Sequence, residues 1–290
     1  MNRDALKRVA PVCFGLMLSS VVQAELKPIS DSEMEQVTGQ AMMAVDIDGT
    51  PEHRYTRVTM GLDAEIQTNI DTVALGDTGD GSDVLVSQLS LGHISTDATQ
   101  VQLNGQTYAV NEIVPFEASN PYFELAEENG DIVGFRMGFG QARGTLSGDF
   151  ESFSGNLGIK LEDSSGNVSD AQLYDASGNA TNTRASYIGL NDAATDCTAG
   201  VQCAPLTNLK TLDIGADNGD GTVSPTEDFF ISFQKAPVSW ASNATGGTAV
   251  DAAAGVYLNI PTSMQMDLTT LQNGISRART EYIDRGVGLF

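Results

Sequence analysis

The sequence predicts an all-β protein, and two observations support that prediction. Residues 58–70 alternate apolar and polar positions without a proline, which is the period of a strand with one buried face. Thirty Gly, only nine Pro, and many Asp, Asn and Ser residues between apolar runs indicate tight turns joining short strands. A sandwich-like fold and stacked, solenoid-like sheets with Gly/Asp-rich turns both agree with this pattern, so both architectures stay open.

The first 24 residues are typical of a secretory signal peptide. Arg3, Lys7 and Arg8 precede an apolar run, and small residues then lead to the sequence VQA that ends at Ala24. We expect cleavage after Ala24 and export to the periplasm, the outer-membrane surface or the extracellular space. No later apolar run has the length of a transmembrane helix, so we expect no stable membrane span.

The rest of the chain is predicted to contain a short N-terminal helix over residues 25–40 and a single large β-rich domain over residues 41–290. Ser30 or Asp31 can cap the helix. Residues 41–47 then have the pattern of an apolar strand. Such a strand either completes its own sheet or is donated to a neighbouring molecule, and donation would make it a surface for self-association.

Charge and motif content exclude several classes of function. The chain has 38 acidic and 15 basic residues and a net charge of −23, so its surface should repel nucleic-acid phosphates. The sequence has no nucleophile elbow, phosphate-binding loop, zinc-protease motif or dinucleotide fingerprint. Its two histidines, His53 and His93, lie in contexts that do not favour catalysis. A pair of carboxylates could still hydrolyse glycosides, but the sequence does not select one.

Two of the three cysteines follow the signal peptide, and we expect Cys197 and Cys203 to form a disulfide after export. Their spacing differs from that of a Cys-x-x-Cys redox motif, and no histidine lies near them to complete a zinc site. Closing so short a loop should contribute about 2 kcal/mol to stability.

Residues 216–228 resemble the calcium loop shared by EF-hands and dockerins. Gly221 falls at the position of the sharp turn, but Ala216 replaces the first ligand. The alternative interpretation is an acidic hairpin turn that needs no ion. Residues 77–83 are a weaker version of the pattern. The candidate calcium ligands are Asp217, Asn218, Asp220, Thr222, Glu227 and Asp228.

The segment VTGQA at residues 37–41, between a signal peptide and a Gly/Asp-rich β region, resembles exported proteins of Gram-negative bacteria, among them Fil-type pilus or filament proteins. The resemblance covers the N-terminal segment and implies an exported location and a surface or structural role, and it supplies no active-site residues to carry over. Our first hypothesis is therefore a secreted or cell-surface structural or adhesive protein that associates with itself or with other surface proteins. The alternatives are a calcium-dependent extracellular binding module, for example for carbohydrate, and a carboxylate-based glycoside hydrolase.

Overall fold

A computed structural model describes residues 43–280 of the chain. The strands up to residue 157 are β1 (Met43–Gly49), β2 (Arg54–Met60), β3 (Asp63–Ile66), β4 (Thr68–Leu75), β5 (Val84–Leu91), β6 (His93–Ile94), β7 (Ile113–Val114), β8 (Phe116–Glu128), β9 (Asp131–Ser152) and β10 (Gly155–Leu157). The later strands are β11 (Lys160–Glu162), β12 (Val168–Asp170), β13 (Gln172–Tyr174), β14 (Tyr187–Gly189), β15 (Cys203–Pro205), β16 (Thr211–Ile214), β17 (Ala216–Asp217), β18 (Val223–Ser224), β19 (Phe229–Gln234), β20 (Val238–Trp240), β21 (Val250–Ala252), β22 (Gly255–Ile260) and β23 (Gln265–Asp267).

The predicted all-β fold is confirmed. Within the described residues the helical elements are a 3-10 helix at Leu206–Asn208 and one α-helix, α1 (Leu268–Asn273). The Asp267 side chain caps α1 by accepting a hydrogen bond from the Thr270 amide at 2.7 Å. The predicted signal peptide and the predicted helix over residues 25–40 lie outside the described part of the chain.

The main sheet has eleven strands, with the order β1-β2-β8-β9-β19-β22-β10 along its path. The long strand β9, of 22 residues, organises it. Its first half pairs with β8 and β19, and its second half pairs with β5 and β16. Gly144 lies between the two halves with a φ of 135°, and a Cβ there would lie 2.9 Å from the Phe116 backbone. Only glycine fits this bend without strain.

One face of the main sheet, which we call the front face, is apolar from one strand to the next. Residues that pair across neighbouring strands project to the same face. A first row begins at Val45 and a second at Ile47, and each crosses six strands. The first row is Val45, Val58, Phe123, Met137, Ile231 and Leu258, and the second is Ile47, Thr56, Leu125, Phe135, Phe233 and Val256.

The opposite face, which we call the back face, carries a charged row at its centre. Asp46, Arg57, Glu124 and Arg136 follow one another across β1, β2, β8 and β9, so that charges alternate in sign. Opposite charges at directly paired positions stabilise neighbouring strands. The β20–β21 hairpin packs on this face, where its Trp240 belongs to a buried cluster with Tyr55 and other residues of the sheet.

The continuous strand predicted for residues 58–70 is wrong, because the structure divides it among β2, β3 and β4. The Leu62 amide turns back to the Met60 carbonyl at 3.0 Å, and the Leu62 carbonyl accepts from the Asn120 amide at 2.8 Å. The strands β2 and β3 both pair with β8, whereas β4 pairs with β5. The alternating pattern persists through these breaks, but Leu62, in the break between β2 and β3, and Ile70, within β4, are exposed.

The predicted disulfide is present. Cys197 and Cys203 are bonded, with Cα atoms 5.1 Å apart. Both are buried beside Tyr174 in a small cluster next to the sheet of β13, β14 and β15. The bridge therefore closes a loop whose own apolar core is small, which is where a covalent link is most useful.

Candidate functional site

A large apolar cavity lies against the front face of the main sheet. Its volume is about 530 Å³, which is within the range of small-molecule sites in proteins. One wall is the front face, and the other is the β4–β5 hairpin. The front face contributes Phe123, Phe135, Met137, Phe139, Phe229 and Ile231, and the hairpin contributes Val73, Leu75, Val84, Val86, Leu89 and Leu91.

The lining of the cavity is apolar almost throughout. None of the described residues that line it is charged, and Tyr122 is the one with a polar side-chain atom. The Tyr122 hydroxyl already accepts a hydrogen bond from the Asn243 amide group at 3.1 Å. The cavity can therefore hold an apolar group.

The strand β1 is the second unusual surface. It forms an edge of the main sheet and pairs, among the described strands, only with β2. Its apolar residues Met43, Val45 and Ile47 are 62%, 60% and 61% exposed. Edge strands of monomeric proteins are usually protected by charges, proline or bulges on such a face. The rows of the front face thus continue beyond the cavity onto an uncovered edge.

The back face, in contrast, is sealed by a buried ion network. The Glu124 carboxylate accepts hydrogen bonds from Arg57 Nε at 3.1 Å and from Arg136 Nε. Arg136 is fully buried, and its guanidinium also donates to the Ala241 carbonyl at 2.8 Å. The same guanidinium lies over the ring of Trp240 at 5.0 Å. This network links β2, β8 and β9 on the face opposite the cavity.

Burial also raises the pKa of the tyrosines on the back face. The pKa of Tyr122 is raised by burial, and that of Tyr257 is raised to about 12, again mainly by burial. Both side chains therefore stay neutral over the physiological pH range. Both side chains are buried, and the Tyr122 hydroxyl accepts a hydrogen bond from Asn243.

Four of the six predicted calcium ligands come together in one turn. β17 and β18 form a hairpin whose turn contains Asp217, Asn218, Asp220 and Thr222. Asp217 accepts from the Gly219 amide at 2.8 Å, and Asp220 accepts from the Thr222 amide at 2.9 Å. Hydrogen bonds from the Thr222 side chain and then its amide lower the pKa of Asp220. These bonds are those of an acidic hairpin turn.

The other two predicted ligands lie elsewhere. Asp228 is buried, and its carboxylate accepts hydrogen bonds from the backbone amide of Asn243 at 2.7 Å and from the Ser242 hydroxyl. Glu227 lines a separate polar depression together with Arg57. Within residues 43–280, no three acidic, histidine or cysteine side chains form a group that could hold a metal ion. The calcium site stays a prediction.

Thermal unfolding tests the calcium prediction. Calcium at ten times its dissociation constant should stabilise the folded state by about 1.4 kcal/mol, which raises the Tm by about 4 °C. Asp220→Ala should remove that rise, whereas Asp175→Ala, in a hydrogen-bonded turn of another loop, should keep it. If the natural chain has the same Tm in calcium and in chelator, the loop is a hydrogen-bonded turn that binds no calcium.

The two histidines lie in different surroundings. His93 Nδ1 lies 3.0 Å from the Thr145 hydroxyl, and its Nε2 lies 3.1 Å from the Gln102 amide oxygen. Burial lowers the pKa of His93, which favours the neutral ring. His53 belongs to the exposed turn after β1 and accepts through its carbonyl from the Thr50 amide at 2.7 Å.

The residues that build the cavity and the ion network were missed in the sequence. The strand β8 contains Pro121, Glu124 and Ala126. Neither a proline nor a buried acid such as Glu124 is typical of a central strand. The available signal was the apolar spacing of Phe123 and Leu125, which continues the front face. No local pattern shows that this face borders a cavity.

Comparison with known proteins gives one partial match. Residues 4–53 are similar to the model of a family of unknown function (DUF6160). No curated protein and no solved structure matches the chain. The matched stretch includes all of β1 and ends before β2, so the cavity lies outside it.

The described residues also bear on membrane association. None of their helices has the length and apolar character needed to cross a membrane.

Proposed function

We propose that this protein is an exported, non-enzymatic structural or adhesive protein that associates with a second copy of itself through the edge strand β1. The observation that carries the proposal is the exposure of Met43, Val45 and Ile47 on an edge whose outer backbone has no partner among the described strands. Adding a strand there satisfies backbone groups and covers the three side chains together. The predicted signal peptide and the resemblance to exported filament proteins support a role outside the cytoplasm.

The charges on β1 favour one register of association. Asp46 and Asp48 alternate with the apolar residues and project to the back face. In an antiparallel pair centred on Asp46, two carboxylates would lie directly opposite each other, which is destabilising. A pair centred on Val45 instead places Asp46 opposite Ala44 of the second copy and Met43 opposite Ile47. We therefore propose a twofold dimer with this second register.

Replacing Val45 with lysine should weaken the dimer about 100-fold. The twofold contact loses two buried valines at about 1.5 kcal/mol each and places two like charges opposite each other. Sedimentation velocity over a range of micromolar concentrations measures the change. Val168→Lys is the matched control, because Val168 is 45% exposed in another edge strand, β12. A natural chain that stays monomeric at the highest concentration would refute the proposal.

A further inference from the structure

We propose that the cavity on the front face binds the single acyl chain of a lipid whose headgroup is uncharged or zwitterionic. The cavity is a different site from the β1 edge that is proposed to mediate association. Among the residues that line the cavity, only Met60 is paired with that strand. The cavity is formed by strands β2, β4, β5, β8, β9, β19 and β22, which come from residues 54–260.

The size of the cavity fits one long hydrocarbon chain. A dry apolar cavity of about 150 Å³ holds one benzene molecule, so a volume of about 530 Å³ has room for roughly 20 carbon atoms. The front-face wall spans five neighbouring strands from β2 to β22, which is about 19 Å at the usual strand spacing. One leaflet of a bilayer core is about 15 Å deep. A membrane acyl chain therefore fits along the wall.

The chemistry of the lining favours a hydrocarbon over a peptide. Six of the seven lining strands have a partner on both sides, so their backbone groups are already bonded. A peptide inside the cavity would bury amide and carbonyl groups without hydrogen-bond partners, which is costly. An acyl chain has no such groups. The only side-chain hydroxyl in the lining, that of Tyr122, is bonded to Asn243 on the back face.

The charge of the protein indicates the class of headgroup. None of the described lining residues is a cation that could pair with a carboxylate or phosphate. The whole chain carries a net charge of −23, which repels anions over the surface. An uncharged or zwitterionic headgroup avoids that repulsion. A free fatty acid, whose carboxylate would lie at the mouth of the cavity, should bind more weakly.

Calorimetric titration of the lipid-stripped full chain tests the proposal. The probes are lysophosphatidylcholines with chains of 8, 12 and 16 carbons, each below its micelle concentration, and palmitate as the anionic comparison. We expect one lipid per protein and an affinity that rises roughly tenfold for every two methylenes added until the chain fills the wall. Palmitate should bind at least tenfold more weakly than the zwitterionic lipid of equal chain length.

Two variants localise the binding. Met137→Glu places a charge in the wall at a side chain that is 43% exposed, and it should weaken binding at least tenfold. Val168→Glu, at a 45% exposed site outside the cavity, should bind like the natural chain. Phe123→Glu, at 40% exposure, replaces Met137→Glu if that variant does not fold.

Several results would overturn the proposal. Absence of saturable binding would mean that protein atoms or a second copy fill the cavity. Affinity independent of chain length, equal binding by both cavity variants and the natural chain, or tighter binding of palmitate would each contradict it. Val45→Lys should keep full lipid affinity, so failure of the dimer leaves this test unchanged.

Discussion

Replacing Glu124 with alanine should lower the free energy of unfolding by about 3–5 kcal/mol, because it leaves Arg136 buried without its carboxylate. The expected fall in Tm is on the order of 10 °C. Trp240 is the only tryptophan of the chain and lies beside the Arg136 guanidinium, so its fluorescence reports unfolding of this cluster. Chemical denaturation followed by that fluorescence gives the free energy directly.

Glu127→Ala is the matched control for Glu124→Ala. Glu127 lies on the same strand, β8, and its ion pair with Arg54 is long, at 3.9 Å, and exposed to solvent. Such a surface pair contributes about 0–1 kcal/mol. If Glu124→Ala costs no more than Glu127→Ala, the buried network does not hold the back face together.

Trp240→Ala should destabilise the protein by a similar amount, about 3–5 kcal/mol, for a different reason. Trp240 is fully buried and packs against Tyr55, with ring centroids 5.9 Å apart. Its indole nitrogen has no hydrogen-bond partner within the described residues, so the variant mainly removes packing. Circular dichroism during thermal unfolding measures the loss.

Trp240→Phe separates the loss of side-chain packing from the other effects of replacing the tryptophan. A phenylalanine keeps an aromatic ring over Arg136 and leaves a smaller cavity, so its cost should be clearly below that of alanine. Equal losses for the two variants would mean that the β20–β21 hairpin depends on something other than the volume of this side chain.

The main features of the fold that could be predicted are those set by local patterns. Alternating apolar residues and turns rich in Gly and Asp are short-range signals, and they correctly indicated an all-β chain. The pairing of Cys197 with Cys203 followed from their spacing in a chain that is predicted to be exported. The hairpin over residues 216–224 was also foreseen, as the alternative to a calcium loop.

The candidate site could not be predicted, because it depends on contacts between distant parts of the chain. The front face and the back face of β8 and β9 both carry large apolar residues, such as Phe123 and Phe135 on one side and Tyr122 on the other. The hairpin of β20 and β21, which follows β8 by more than 100 residues in the sequence, covers only the back face. A single sequence does not show which face receives that cover.

The break between β2 and β3, at Gly61 and Leu62, also depends on contacts between distant parts of the chain. Residues 58–70 keep their two-residue alternation, yet they move from one end of β8 to the other and then to β5. Strand pairing is a long-range property, and alternation reports only which residues share a face. The buried acid Glu124 was missed for a related reason, because its partners Arg57 and Arg136 lie on two other strands.

Cysteine cross-linking at Val45 tests the proposed association most directly, because it reads both the contact and its register. In the register centred on Val45, the two Cα atoms of that residue lie about 4.5–5.5 Å apart, which is within reach of a disulfide. Ile47 is equally exposed on the same face, but its symmetry mate lies about 14 Å away. We predict that Val45→Cys gives a covalent dimer on mild oxidation and Ile47→Cys does not. Absence of the Val45→Cys dimer, or equal cross-linking of both variants, would contradict the account.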